Sequence, residues 1–200
     1  MKKRFYLIFA LTAALSACGF SRPSTFYVLD SNILPSQSVT LKNADNLLIG
    51  IENVFMPNYL DKPQIVIRQP DSVTLTASEF NRWAEQIGDV FPRVLAGSIS
   101  ERMGYQAAKQ INLNRDLFPY RLFVEVLRFD ATFDKEAVLD VWWTILSNSG
   151  NVVYRSRSTL IAPVEGDDYS DVVRAEQRLL KDLGYTIADY VSTNLKKGKK

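Results

Sequence analysis

The chain of 200 residues contains no histidine and a single cysteine, Cys18. Without histidine the commonest general base and the commonest zinc ligand are both missing, which excludes serine–histidine and cysteine–histidine catalysis. One thiol cannot close a disulfide within the chain, so stability has to come from packing. Paired-cysteine metal patterns, a glycine-rich phosphate loop and a nucleophile elbow are also lacking. No metal ligand or catalytic residue is therefore assigned. Neither sign of charge dominates, with 24 Lys and Arg against 22 Asp and Glu, so the basic surface needed for nucleic acid is not supplied. The longest early apolar run, Phe5 to Ala14, falls short of the roughly 20 residues that span a bilayer.

What is present begins with Lys2, Lys3 and Arg4, followed by that short apolar run and by small residues ending at Cys18. This is the layout of a secretory signal, here residues 1–17. Leu15-Ser16-Ala17-Cys18 resembles the bacterial lipobox, in which the cysteine receives a diacylglycerol, cleavage falls just before it and the new amino terminus is acylated. The resemblance makes Cys18 the lipidation site; beyond these covalent acyl groups no cofactor is expected. Each buried methylene contributes about 0.8 kcal/mol, so two or more chains anchor stably where one is marginal. Gly19 follows Cys18, whereas aspartate there usually accompanies retention at the inner membrane. The expected address is the periplasmic face of the outer membrane.

Cleavage before Cys18 leaves 183 of the 200 residues, a size suited to one domain with a sizeable core. The whole chain carries +2, and losing Lys2, Lys3 and Arg4 takes the mature chain to −1 before its termini. Residues 18–24, small and polar with Pro23, suit a tether; 25–196 form the expected domain and 197–200 a basic tail. Lys196, Lys197, Lys199 and Lys200 read as a solvated end, with attraction to anionic headgroups or phosphorylated sugars as the alternative.

Phe26 to Leu29 reads as a first strand, and Asp30 to Asn46, polar and aperiodic, as a loop. Leu47 to Val54 suits a buried strand, and Gln64 to Gln69 with Val73 to Thr76 a hairpin around Pro70. Phe80, Trp83, Ile87, Phe91, Val94 and Ile99 recur at helical intervals, predicting an amphipathic helix over about Glu85 to Met103 that ends at Gly104. Pro92 requires either a kink or a regular part beginning at Asp89, since an interior proline costs about 3 kcal/mol or more. Tyr120–Phe129, Ala137–Leu146 and Val152–Ile161 are dense in β-branched and aromatic residues and predict an antiparallel meander, with Ser147 to Asn151 as a turn. Trp142 and Trp143 must then point to opposite faces, at least one into the core. Asp167 to Leu195 returns to helical spacing, with Asp168, Ser170 or Asp171 as its cap. The predicted fold is α+β, a single domain with two principal helices packed on one face of a mostly antiparallel sheet.

Several strings in order resemble one family, the PqiC/YmbA or ABC-type transport auxiliary lipoproteins. They are the lipobox, Phe26-Tyr27-Val28-Leu29, Tyr59-Leu60-Asp61-Lys62-Pro63-Gln64-Ile65-Val66 and Asn81-Arg82-Trp83-Ala84-Glu85. The likeness runs on through the late hairpin and closing helix; Gln86 and Pro92 depart from the family pattern. It implies a non-enzymatic outer-membrane component working with an MCE-domain protein (PqiB-like) and an inner-membrane PqiA-like protein in lipid transport between membranes and envelope integrity. Ring-like self-association around a periplasm-spanning tube is compatible with it. Tyr59, Leu60, Arg82 and Trp83 are the candidates for a partner or subunit interface, with maintenance of the fold as the competing role. Two other functions stay open at this stage: an envelope glycan hydrolase using a carboxylate pair, for which no spacing selects a pair among 22 acidic residues, and an assembly factor for another envelope complex.

Overall fold

The computed structural model describes residues 22–30, 48–52, 54–104, 107–110 and 118–195. The signal segment, Cys18, most of the tether, most of the predicted loop and the lysine tail lie outside them. The elements in chain order are β1 (Thr25–Tyr27), β2 (Ile49–Ile51), β3 (Gln64–Arg68), β4 (Leu75–Trp83), α1 (Ile87–Met103), β5 (Ala108–Gln110), β6 (Tyr120–Thr132), β7 (Glu136–Ser147), β8 (Val152–Pro163) and α2 (Tyr169–Asn194).

All eight strands share one sheet. The three long ladders, β3/β4, β6/β7 and β7/β8, are antiparallel. Four short ladders are parallel: β1/β4, β2/β5, β2/β6 and the single β3/β6 pair Ile67–Ala131. Strand β6 organises them, pairing along its length with β7 on one side, and on the other with β2 at its start and β3 near its end. The meander is the predicted one, its turn closed by Ser147 N–H to Asn151 O at 2.8 Å and Gly150 N–H to Ser147 O at 2.9 Å. Gly150 has φ +87°, a conformation that glycine adopts without strain.

Period-2 alternation sends Leu122, Val124, Leu139, Val141, Trp143 and Ile145 to one face, where all are buried. Both helices pack there. Helix α2 buries Val172, Leu179, Leu180, Leu183, Ile187 and Val191 at helical spacing, and Asp168 caps it by accepting from Ser170 N–H at 2.7 Å. On the same face Trp143 Nε1 donates to Ser158 Oγ at 3.0 Å, and Tyr154 stacks on Tyr190 of α2 at 3.9 Å. The helices themselves meet closely at Gly184: a Cβ there would stand 2.5 Å from Ser98 Cβ and 3.2 Å from Ile99 N.

Three local expectations need correction. Phe80 and Trp83 are not helical; β4 runs on to Trp83 because β1 and β3 pair with it from both sides, and Trp83 N–H reaches Pro63 O at 2.7 Å. Helix α1 starts at Ile87, with Asp89 and Val90 N–H both bonding Gln86 O, so Pro92 lies in its second turn rather than its first. That proline removes the amide that would bond Gly88 O, and the burial of Phe91, Pro92 and Leu95 offsets the loss. Finally, among the described residues of the run from Leu47, only Ile49–Ile51 form strand, with Phe55 bridging separately to Glu125. Strand β5 has no signal in the sequence; Ser100 Oγ of α1 holds it through Ala108 N–H at 3.1 Å and Ala108 O at 3.3 Å.

Candidate functional site

The interface candidates lie around the corner formed by β3, β4 and the loop before β3: Arg82 on β4 pairs with Gln64 at the start of β3, Leu60 and Trp83 line one cavity, and Tyr59 stands near Arg68, Asp130 and Arg128, so the four differ in access. Leu60 and Trp83 are core residues, only 5% and 7% exposed. With Gln64, Val66, Ile87, Phe129 and Glu176 they line a cavity of about 10 Å³, room for about one water. Tyr59 is half-buried, and burial followed by the nearby Asp130 charge raises its phenol pKa. Arg82 lies opposite Phe26 on one side and Gln64 on the other, and its Nε donates to Glu79 O at 3.0 Å. Tyr59 and Arg82 therefore offer surface, while Leu60 and Trp83 hold that surface in place.

Two charged groups beneath this corner were not singled out from the sequence. Asp130 on β6 has no exposed surface; Arg68 grips both its oxygens through Nε at 2.8 Å and Nη2 at 2.7 Å, and Arg128 adds Nε at 3.0 Å. The paired geometry satisfies the buried carboxylate, which would otherwise be prohibitively desolvated. Glu176 on α2 is 2% exposed, and its Oε2 has no hydrogen-bond partner among the described residues. Burial, with Asp130 adding repulsion, raises its pKa well above the ordinary carboxylate value. Glu176 was legible as a helical position: it sits four residues after Val172 and three before Leu179, on the apolar stripe. Asp130 carries no comparable signal, because its partner Arg68 is 62 residues away.

Asp130 and Glu176 are neighbouring acids, yet both are shut away from solvent, so a glycan cannot reach between them. Among the described residues no group of three or more His, Cys, Asp or Glu is placed to hold a metal ion. Among them, too, no helix is long and apolar enough to cross a membrane.

The second surface is the sheet face opposite the helices. Trp143 is buried under α2, and Trp142 turns to this other side, where the Arg155 guanidinium lies 4.8 Å from its ring centroid. Asp140 takes two bonds from Arg157, at 2.9 and 2.6 Å, and one from Thr159 at 3.2 Å; the Arg157 bonds hold its carboxyl below the usual carboxylate range. Phe123, Val153 and Ile161 stand exposed around them, Ile161 at 62%. Such a face, part aromatic and part paired charge, suits recognition of another macromolecule better than enclosure of a small substrate.

The fold recurs in solved structures. One, of an uncharacterized protein, matches with a TM-score of 0.68 at 20% identity, covering 85% of this chain and 99% of its own. Another, a Xanthomonas campestris protein of the DUF330 family, matches with a TM-score of 0.66 at 16% identity, covering 84% and 94%. At these identities the likeness concerns the fold alone. No curated protein matches the chain significantly. The family model described as ABC-type transport auxiliary lipoprotein component matches residues 27–188, nearly all of the two-helix, one-sheet domain, and the chain belongs to that family.

Proposed function

We propose that the protein is the outer-membrane-anchored lipoprotein subunit of an MCE-type, Pqi-like system that moves lipid between the membranes and supports envelope integrity, and that it acts by docking rather than catalysis. The observation that carries this reading is the match of residues 27–188 to a transport auxiliary lipoprotein. Acylated Cys18 ties the domain to the membrane, and Gly19 favours the outer one. The partners are an MCE-domain protein (PqiB-like), whose distal end the domain receives, and through it a PqiA-like inner-membrane protein, with copies of the chain arranged around the tube.

Tyr59 and Arg82 form the contact at one corner, supported from below by Leu60 and Trp83. The buried acids Asp130 and Glu176 are sealed from a glycan, so that pair does not support the hydrolase alternative. A photocrosslinking residue placed in cells at Arg82, with Thr186 on the outer side of α2 as control, tests the contact. An adduct with an MCE-domain protein at position 82 and none at 186 is expected. Adducts only with lipopolysaccharide or cell-wall machinery would replace this reading with an assembly role.

A further inference from the structure

A recess lies between the helices α1 and α2. It has a volume of about 200 Å³ and is lined by Asp30, Val94, Ser98, Arg174, Arg178 and Lys181, with Gln177 beside them. Arg174, Arg178 and Lys181 follow one another at i, i+4 and i+7 on α2, so their charges project along one side of the helix. Like charges at these spacings repel, and neighbouring acids relieve that repulsion for two of the three.

Two of the three have partners: Arg174 meets Asp171, and Lys181 Nζ meets Glu101 at 3.0 Å. Arg178 has neither an ion pair nor a hydrogen bond among the described residues, although it lines the recess with Asp30. Behind the cations the wall is Val94 and the buried Ser98, whose Oγ donates to Val94 O at 3.1 Å and keeps lone pairs for an incoming donor. Gln177 Nε2 reaches Val28 O at 3.5 Å, which ties the chain beside β1 to this wall.

We infer that this recess between α1 and α2 binds a phosphate ester, with Arg178 as the principal ligand and with Arg174 and Lys181, whose charges Asp171 and Glu101 offset, contributing the N–H donors those pairs leave free. A guanidinium presents a planar fork of donors that matches two phosphate oxygens, and an unpaired one has its donors free for that role. The volume exceeds that of a phosphate group and leaves space for a small substituent. Asp30, which also lines the recess, can accept from a hydroxyl, which selects an ester carrying hydroxyl groups over bare inorganic phosphate. Such an ester is either the headgroup of a hydroxylated phospholipid or a soluble polyol phosphate. The inference stands apart from the docking role, since it uses none of the residues assigned to that contact.

The test uses the acylated chain purified in a non-ionic detergent, observed through its arginine Nε–H resonances during titration with inorganic phosphate, glycerol 1-phosphate and dihexanoyl phosphatidylglycerol, with dihexanoyl phosphatidylcholine as the zwitterionic control. A saturable shift of the Arg178 signal with glycerol 1-phosphate or phosphatidylglycerol is expected, tighter than with inorganic phosphate. Arg178→Gln should weaken binding on the order of tenfold, as loss of a charge-assisted hydrogen bond does, while Arg155→Gln on the sheet face leaves it unchanged. Tighter binding of the phosphatidylglycerol than of glycerol 1-phosphate marks a lipid headgroup as the source; equal binding marks a soluble ester. No saturable shift with any of the phosphate esters, binding equal to that of phosphatidylcholine, or binding that survives Arg178→Gln would overturn the assignment.

Discussion

At the scale of single residues, the buried acids decide how the protein responds to mutation and to pH. Removing the Asp130 carboxylate leaves Arg68, whose side chain is 16% exposed, without its counter-charge. Breaking one partner of such a pair costs about 3–5 kcal/mol, so Asp130→Ala should lower the urea midpoint by that measure of stability, whereas exposed Arg93→Ala should lower it by under about 1 kcal/mol. Glu176 acts in the opposite sense. Its folded pKa is raised above the unfolded value of about 4.5 by burial and then by Asp130. Below that pH both states hold the proton; above it the unfolded chain releases a proton that the folded chain keeps, so stability falls as pH rises, by up to about 1.4 kcal/mol per pH unit. Glu176→Gln should therefore be more stable than the native chain at pH 7, with an advantage that shrinks as pH falls towards 4.5, measured by urea melts across that range. Glu176 could be read from helical spacing, but the Arg68–Asp130–Arg128 cluster could not, since it depends on β3 arriving beside β6.

At the scale of elements, legibility follows the length of the pattern. Strands β6 to β8 and helix α2 carry a period of 2 or 3.6 over 12 or more residues, and tertiary structure has no reason to override them. Trp83 was misread because Phe80, Trp83 and Ile87 happen to fall at helical intervals, while the pairing of β4 between β1 and β3 draws the chain into an extended form. Strands β2 and β5 are three residues each and exist through parallel pairing with distant partners, which no local periodicity encodes. The crossing of α1 over α2 depends on a single missing methyl. Gly184→Ala places a Cβ 2.5 Å from that of Ser98, and the helices must separate to admit it. Overpacking of this kind costs about 1–3 kcal/mol, and the paired change with Ser98→Gly should recover much of it in a double-mutant cycle by thermal denaturation.

At the scale of the whole molecule, the helices close one face of the sheet and leave the other with Trp142, Arg155, Arg157, Phe123 and Ile161 to meet solvent. Among the described residues strand β8 pairs only with β7, which makes it an edge of the sheet as described; Arg155 and Arg157 on it discourage unspecific strand pairing. Cys18 sets the address in this proposal: Cys18→Ser should move the chain from the membrane fraction to the soluble periplasmic one after fractionation. The proposed docking role was suggested only by the family strings, because chemistry that binds a protein partner leaves no fixed spacing of reactive groups. Its most direct measurement is capture of the acylated chain from gently solubilised membranes followed by identification of what accompanies it. An MCE-domain protein recovered with the native chain, and depleted when Tyr59 and Arg82 are both replaced by alanine, is the expected result; repeated recovery of the chain without any MCE-domain protein, from membranes whose other envelope complexes remain intact, would contradict it.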